Sequence, residues 1–166
     1  MKKITISLAA VLLLFSCGDE ATEALVGPGG VISANAVVIT LTYWETKEKD
    51  LFDTKLDPEI YFEVMAYENG KQVTNNKTTA LLKADDVGQS WSGYSKSSPI
   101  SFAASADKLR IYAVVIERDP LASDDISPGE YAAFDPPFVS GDNGSKTLNY
   151  STGKSKVSFN YSFVSQ

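Results

Sequence analysis

The chain reads as an all-β protein, an antiparallel β-sandwich of about eight strands. Three observations lead there. From residue 36 onward apolar and polar residues alternate with period two over long runs, no helical period is sustained after the first 16 residues, and polar turns separate the runs. Alternation of this kind marks strands with one face on a core. A hydrophobic share of 43 %, with eight Phe and eight Tyr in 166 residues, supplies that core.

The first element precedes the fold. Met1-Lys2-Lys3 gives a short basic segment, Ile4 to Phe15 an apolar run of twelve residues, and Ser16 a small residue before Cys17. This is the pattern of a secretory signal. The run is shorter than the ~20 residues a membrane-spanning helix needs. It resembles the bacterial lipoprotein signal, with Leu14-Phe15-Ser16-Cys17 as the lipobox. The resemblance implies cleavage after residue 16 and a diacylglyceryl group on Cys17, the single cysteine of the chain. Residues 17–35 are acidic first and then rich in Gly and Pro, which reads as a flexible tether. Fully extended, its residues 18–35 reach roughly 60 Å at ~3.3–3.6 Å per residue. Asp19 and Glu20, close behind the cysteine, resemble surface-export signals of some Gram-negative lipoproteins. The expected location is therefore a lipid anchorage in the bacterial cell envelope, at the outer membrane and facing the surface or the periplasm.

The folded domain is expected over residues 36–166. In its first strand Val37, Ile39, Leu41 and Tyr43 alternate with Val38, Thr40, Thr42 and Trp44, which puts Trp44 on the outward face. Ile60, Phe62, Val64 and Ala66 form one face of the second strand. Asn69-Gly70 then gives the strongest short hairpin signal, because both residues tolerate positive φ. Leu109, Ile111, Ala113 and Val115 line a third long strand, and Val157, Phe159, Tyr161 and Phe163 the last. Shorter strands are expected near 78–83, 99–103, 129–134 and 146–151. The loops of a sandwich gather at its two ends.

Absences narrow the chemistry. The sequence has no histidine, and no cysteine besides Cys17. Ser-His-Asp and Cys-His nucleophiles are excluded, as are the usual zinc sites and disulfides. No pair of acids suggests glycoside hydrolysis, so the chain is read as a non-enzyme. Removal of residues 1–16 takes away Lys2 and Lys3 and no acid, leaving 13 of the 15 bases against all 21 acids. An acidic surface does not suit nucleic acid, which needs clustered Lys or Arg.

The acid is concentrated in two loops. One is Asp53-Thr54-Lys55-Leu56-Asp57-Pro58; the other runs from Glu117 through Asp119 to Asp124 and Asp125. At ~4 Å and an effective dielectric near 20, each like-charged pair repels by about 4 kcal/mol. Five such groups gathered at one end call for a cation, and calcium takes six to eight oxygen ligands from loops of this kind. The second loop is not an EF-hand: read from Glu117 it lacks the glycine at position 6 and the glutamate at position 12.

From Val37 to Phe163 the order of elements resembles the calcium- and lipid-binding C-two (C2) domains of synaptotagmins and protein kinase C. The resemblance is carried by Asp57-Pro58 at the start of the second strand, by Gln89-Ser90-Trp91 followed by Ile100-Ser101-Phe102, by the run Leu109 to Val115 leading into the second acidic loop, and by Ile126 with Gly129-Glu130 after it. It implies calcium as cofactor, with Asp53 and Asp57 as ligands in the first loop and Glu117, Asp119 and Asp125 in the second. Leu56 and Leu121 would be the apolar tips presented to a partner. The chain departs from the family pattern at Glu117, where Asp is usual, and in a first loop two residues shorter. Ala122 stands at a position that often holds a serine ligand, leaving Ser123 or Asp124 as substitutes. The basic strand that binds phosphoinositides is absent, Lys71, Lys77 and Lys83 being scattered.

The function expected from these residues is calcium-dependent contact of a lipid-anchored domain with a protein, a glycan or a neighbouring membrane. Two other readings stand beside it. One is a carbohydrate-binding module stacking sugars on Trp44, Trp91 and Tyr94. The other is a structural subunit of an envelope assembly whose acidic loops are inert.

Overall fold

Four strands of ten or eleven residues carry the molecule, and shorter pieces complete its sheets. The computed structural model describes residues 32–47, 55–97, 99–118 and 123–166. Cys17, Asp53, Asp119 and Leu121 lie outside these residues, as do the expected signal and most of the tether. The described strands are β1 (Ala36–Thr46), β2 (Pro58–Glu68), β3 (Lys71–Lys77), β4 (Leu82–Lys83), β5 (Ser90–Ser92), β6 (Pro99–Ser101), β7 (Lys108–Arg118), β8 (Ser123–Asp125), β9 (Tyr131–Phe134), β10 (Asn143–Leu148) and β11 (Ser155–Val164). No helix among the described residues is long and apolar enough to cross a membrane.

The strands form two antiparallel sheets packed face to face. The first runs β10-β11-β1, with β5 and β6 both on the free side of β1. The second runs β3-β2-β7-β8, with β4 also on β2 and β9 also on β7. The short strands share edges in tandem. Along β1, β6 pairs Ala36–Val38 and β5 pairs Tyr43–Glu45. Along β2, β3 covers Glu63–Glu68 and β4 covers Glu59–Ile60. Along β7, β9 covers Leu109–Tyr112 and β8 covers Ile116–Arg118. Eleven strands are described rather than the eight or so expected, and the all-β sandwich holds. Three of the edge positions are simply broken in two.

The core lies between the sheets and follows the period-two pattern. Ile60, Phe62, Val64 and Ala66 on β2 and Leu109, Ile111 and Val115 on β7 face Val37, Ile39, Leu41, Val157 and Phe159 on β1 and β11, all buried. Phe62 meets Phe159 across the sandwich, with ring centroids 4.9 Å apart at 61°. Edge-to-face pairs of this kind add stabilisation beyond the area they bury. At one end Phe102, Phe134, Phe138 and Phe163 form a second aromatic cluster.

The first strand departs from simple alternation. Leu41 pairs with Phe159 but Tyr43 pairs with Ser158, so Thr42 is an extra residue in the ladder. A bulge of this kind moves every later side chain to the other face. Tyr43 therefore turns out, and Trp44 turns in: it is fully buried and its Nε1 donates to Ser155 Oγ at 3.2 Å. The outward Trp44 expected from uninterrupted alternation is corrected by this single residue. The Asn69-Gly70 hairpin forms as expected, with φ of 51° and 77° joining β2 to β3.

Candidate functional site

The register of β2 on β7 decides which loops meet. Pro58 pairs with Glu117, so the segment entering β2 and the segment leaving β7 lie at one end of the sandwich. Thr46 pairs with Ser155 at the same end, which brings the segment between β10 and β11 there as well. The segment after β8 is tied to the one between β10 and β11: Gly153 N donates to Pro128 O at 3.0 Å, and Asn149 N donates to Glu130 Oε2 at 2.7 Å. A Cβ on Gly153 would stand 1.8 Å from Ser127 O, so only glycine permits this approach.

Of the predicted ligands, Asp57 and Glu117 come together. Asp57 N donates to Glu117 Oε1 at 3.2 Å, and Arg118 N donates to Asp57 O at 3.2 Å. Asp57 Oδ1 accepts from Asp86 N at 2.7 Å, which ties the loop to the turn before β5. Asp125 is placed differently. It lies opposite Ile116, and its Oδ1 accepts from Ser127 N at 2.9 Å and from Ser127 Oγ at 2.5 Å. The residue paired with Glu117 is Asp124, which by strand alternation shares the side of the sheet that Glu117 occupies. Among the described residues no three acidic groups converge to hold a metal.

Leu56 is not an apolar tip. It is 3 % exposed and joined to Val87 by an isolated bridge, with backbone hydrogen bonds of 2.7 and 3.0 Å, so it plugs the base of the first loop. Nor do Trp44, Trp91 and Tyr94 make a stacking platform. Trp44 is buried, Trp91 pairs with it across β1 and β5 and packs partly on the core, and only Tyr94, at 82 %, stands free in solvent.

The aromatic residues that do share an outer face come from β2, β7 and β9. Tyr61 pairs with Val114, Glu63 with Tyr112, Met65 with Arg110, and Tyr112 with Tyr131. Arg110 lies between two rings, its guanidinium carbon 4.7 Å from the Tyr67 centroid and 4.6 Å from that of Tyr131. Its side chain donates a hydrogen bond to Tyr112, and this together with the nearby tyrosine rings raises its pKa further. Tyr112 and Tyr131 have centroids 5.1 Å apart, and Tyr131 is 43 % exposed. Strand alternation alone turns each of these residues outward, and their gathering depends on register.

A third cluster lies on the outer face of the first sheet. Glu45 accepts hydrogen bonds from the hydroxyls of Tyr43 and Tyr150, and Lys156 Nζ stands 3.6 Å from its Oε1. The bond from Tyr43, then that from Tyr150, hold the Glu45 carboxyl below the usual range. Burial and the bond to Glu45 push the Tyr150 hydroxyl up to about 12. Lys47 caps the Tyr150 ring at 4.1 Å.

With the geometry in place, the relation to known proteins is one of fold. No family model and no curated protein matches the chain. Among solved structures it is similar to a C2 domain of plant extended synaptotagmin 1, with 10 % identity and a TM-score of 0.53 over 81 % of this chain and 97 % of that one. It is also similar to a C2 domain protein from Ramazzottius varieornatus, with 15 % identity and a TM-score of 0.56 over 81 % and 91 %. The protein therefore has a C2-like β-sandwich fold, as the order of its strands and acidic loops implies.

Proposed function

We propose that the protein is a lipid-anchored component of the bacterial envelope whose C2-like domain binds calcium at its acidic end and there engages a protein, glycan or membrane partner. The observation that carries this reading is the pairing of Pro58 with Glu117, which sets the bases of both acidic loops side by side. Asp57, Glu117 and Asp124 or Asp125 from these bases, with Asp53 and Asp119 from the loops, are the candidate ligands, and a bound calcium would neutralise their mutual repulsion.

The position of the tether supports the direction of contact. Residue 36 pairs with Val164 at the end opposite the acidic loops. A chain held through Cys17 would enter the domain there, leaving the loops pointing away from its own membrane.

Calorimetric titration of residues 18–166 with calcium chloride tests the reading, together with thermal unfolding. A ligand that binds only the folded state adds about 2.7 kcal/mol at a hundredfold excess over its dissociation constant, so a higher Tm is expected. Asp53→Asn combined with Asp119→Asn should abolish the rise without lowering the Tm of the calcium-free protein. Absence of any heat or Tm shift at millimolar calcium overturns the reading.

A further inference from the structure

We propose that the outer face of the second sheet binds an acidic glycan, with Arg110 holding a sugar carboxylate and the surrounding tyrosines contacting the sugar rings. The starting observation is the state of Arg110. Lys77 is bound to Glu63 at 2.6 Å, Lys108 lies 3.8 Å from Asp135, and Arg118 is paired with Glu59. Arg110, on the same sheet, forms no ion pair with a carboxylate among the described residues. Its described partners are two ring faces and one tyrosine hydroxyl, and its buried Nε has no hydrogen-bond partner. A guanidinium has five N–H donors in a planar fork that matches a carboxylate. Fixed between Tyr67 and Tyr131, it is held in place before any ligand arrives.

The surroundings select among anions. A cation fixed between two rings suits a ligand with widely spaced charges. Glu59 and Glu63 lie on the same face, and the whole chain carries a net charge of −6, so a densely anionic membrane or nucleic acid is repelled. Tyr61, Tyr67, Tyr112 and Tyr131 offer an apolar ring and a hydroxyl each, the combination that meets both the C–H face and the hydroxyls of a pyranose. A sheet face is extended, as an oligosaccharide is. One carboxylate on an otherwise uncharged ring matches this surface. Arg110 lies seven residues along β7 from Glu117, roughly 23 Å at ~3.3 Å per residue, so the face is separate from the acidic end and does not require calcium.

Calorimetric titration of the full chain in detergent with tetragalacturonate and with a hyaluronan hexasaccharide tests this, each in calcium and in EDTA. At least one should bind, equally in both buffers, and its neutral methyl ester should bind tenfold or more weakly. Arg110→Gln should weaken binding tenfold or more. Tyr131→Ala should do so too, and Arg110→Lys, which keeps the charge but loses the planar fork, should fall between wild type and Arg110→Gln. Circular dichroism and the thermal unfolding midpoint serve as the control for folding. The proposal is overturned if neither oligosaccharide binds, if well-folded Arg110→Gln binds as wild type does, or if vesicles containing phosphatidylinositol phosphate bind at this face and the oligosaccharides do not.

Discussion

Single residues fix how each face of the sandwich is used, and Glu45 is the clearest case. Two tyrosine hydroxyls and Lys156 favour its ionised form, so its folded pKa lies below the ordinary carboxylate value of 4.5. The stabilisation is present above the unfolded pKa and is lost as pH falls through the lowered folded value. Glu45→Gln should therefore lower the urea midpoint at pH 7, and the gap from wild type should close as the pH falls below 4. A constant gap across that range would rule out the ionised carboxylate as the source. Tyr150 acts at the other extreme. The unfolded hydroxyl ionises near 10 and the folded one at about 12, so this contribution is intact below pH 10 and is lost as pH rises through 12.

Elements show how one residue propagates along a strand. Thr42 is the extra residue in β1, and everything from Tyr43 to Thr46 owes its face to it. Deleting Thr42 should turn Trp44 outward and drive Tyr43 and Glu45 toward the core. Removing a buried Trp costs about 3–5 kcal/mol by itself, and burying a carboxylate adds to that, so the deletion variant should lose its cooperative thermal transition in circular dichroism and its blue-shifted tryptophan emission. Retention of both would mean that the strand absorbs the deletion elsewhere. The bulge also shows where sequence reading stops. The four long strands and the Asn69-Gly70 turn announce themselves through period two and backbone preference, which are local. A bulge leaves no mark in the alternation of Val37 to Trp44, because Thr42, Tyr43 and Trp44 suit either face. The two acidic loops are legible as composition, but the meeting of Asp57 and Glu117 depends on the pairing of β2 with β7, which no local signal specifies. The grouping around Arg110 is of the same kind: Tyr67 and Tyr131 are 64 residues apart in sequence, and only the pairing of β2, β7 and β9 brings them to one cation. Leu56 carries no sequence signal for its burial, because an apolar residue in an acidic loop serves equally well as a tip or as a plug.

At the scale of the whole molecule, the sandwich has two unlike ends. The acidic loops occupy one. At the other, Gln166 N donates to Asn35 Oδ1 at 2.8 Å and Ser140 N donates to Ile32 O at 2.9 Å, so the start and finish of the folded domain lie together. If Cys17 holds the anchor, Cys17→Ser should move the protein from the detergent fraction to the soluble fraction while its circular dichroism stays β-rich. A variant that remains in the detergent fraction would refute anchorage through this thiol. The tandem short strands have a further effect on how such molecules live side by side. A long, uninterrupted sheet edge offers neighbouring copies a row of unpaired backbone groups on which to add a strand. Among the described residues three outer positions are divided, none of the edge pieces exceeds seven residues, and the longest, Lys71–Lys77, has a lysine at each end. Copies crowded together on a surface would find no continuous template, so the interruptions guard against fibrous self-association without any bound partner to cover the edges.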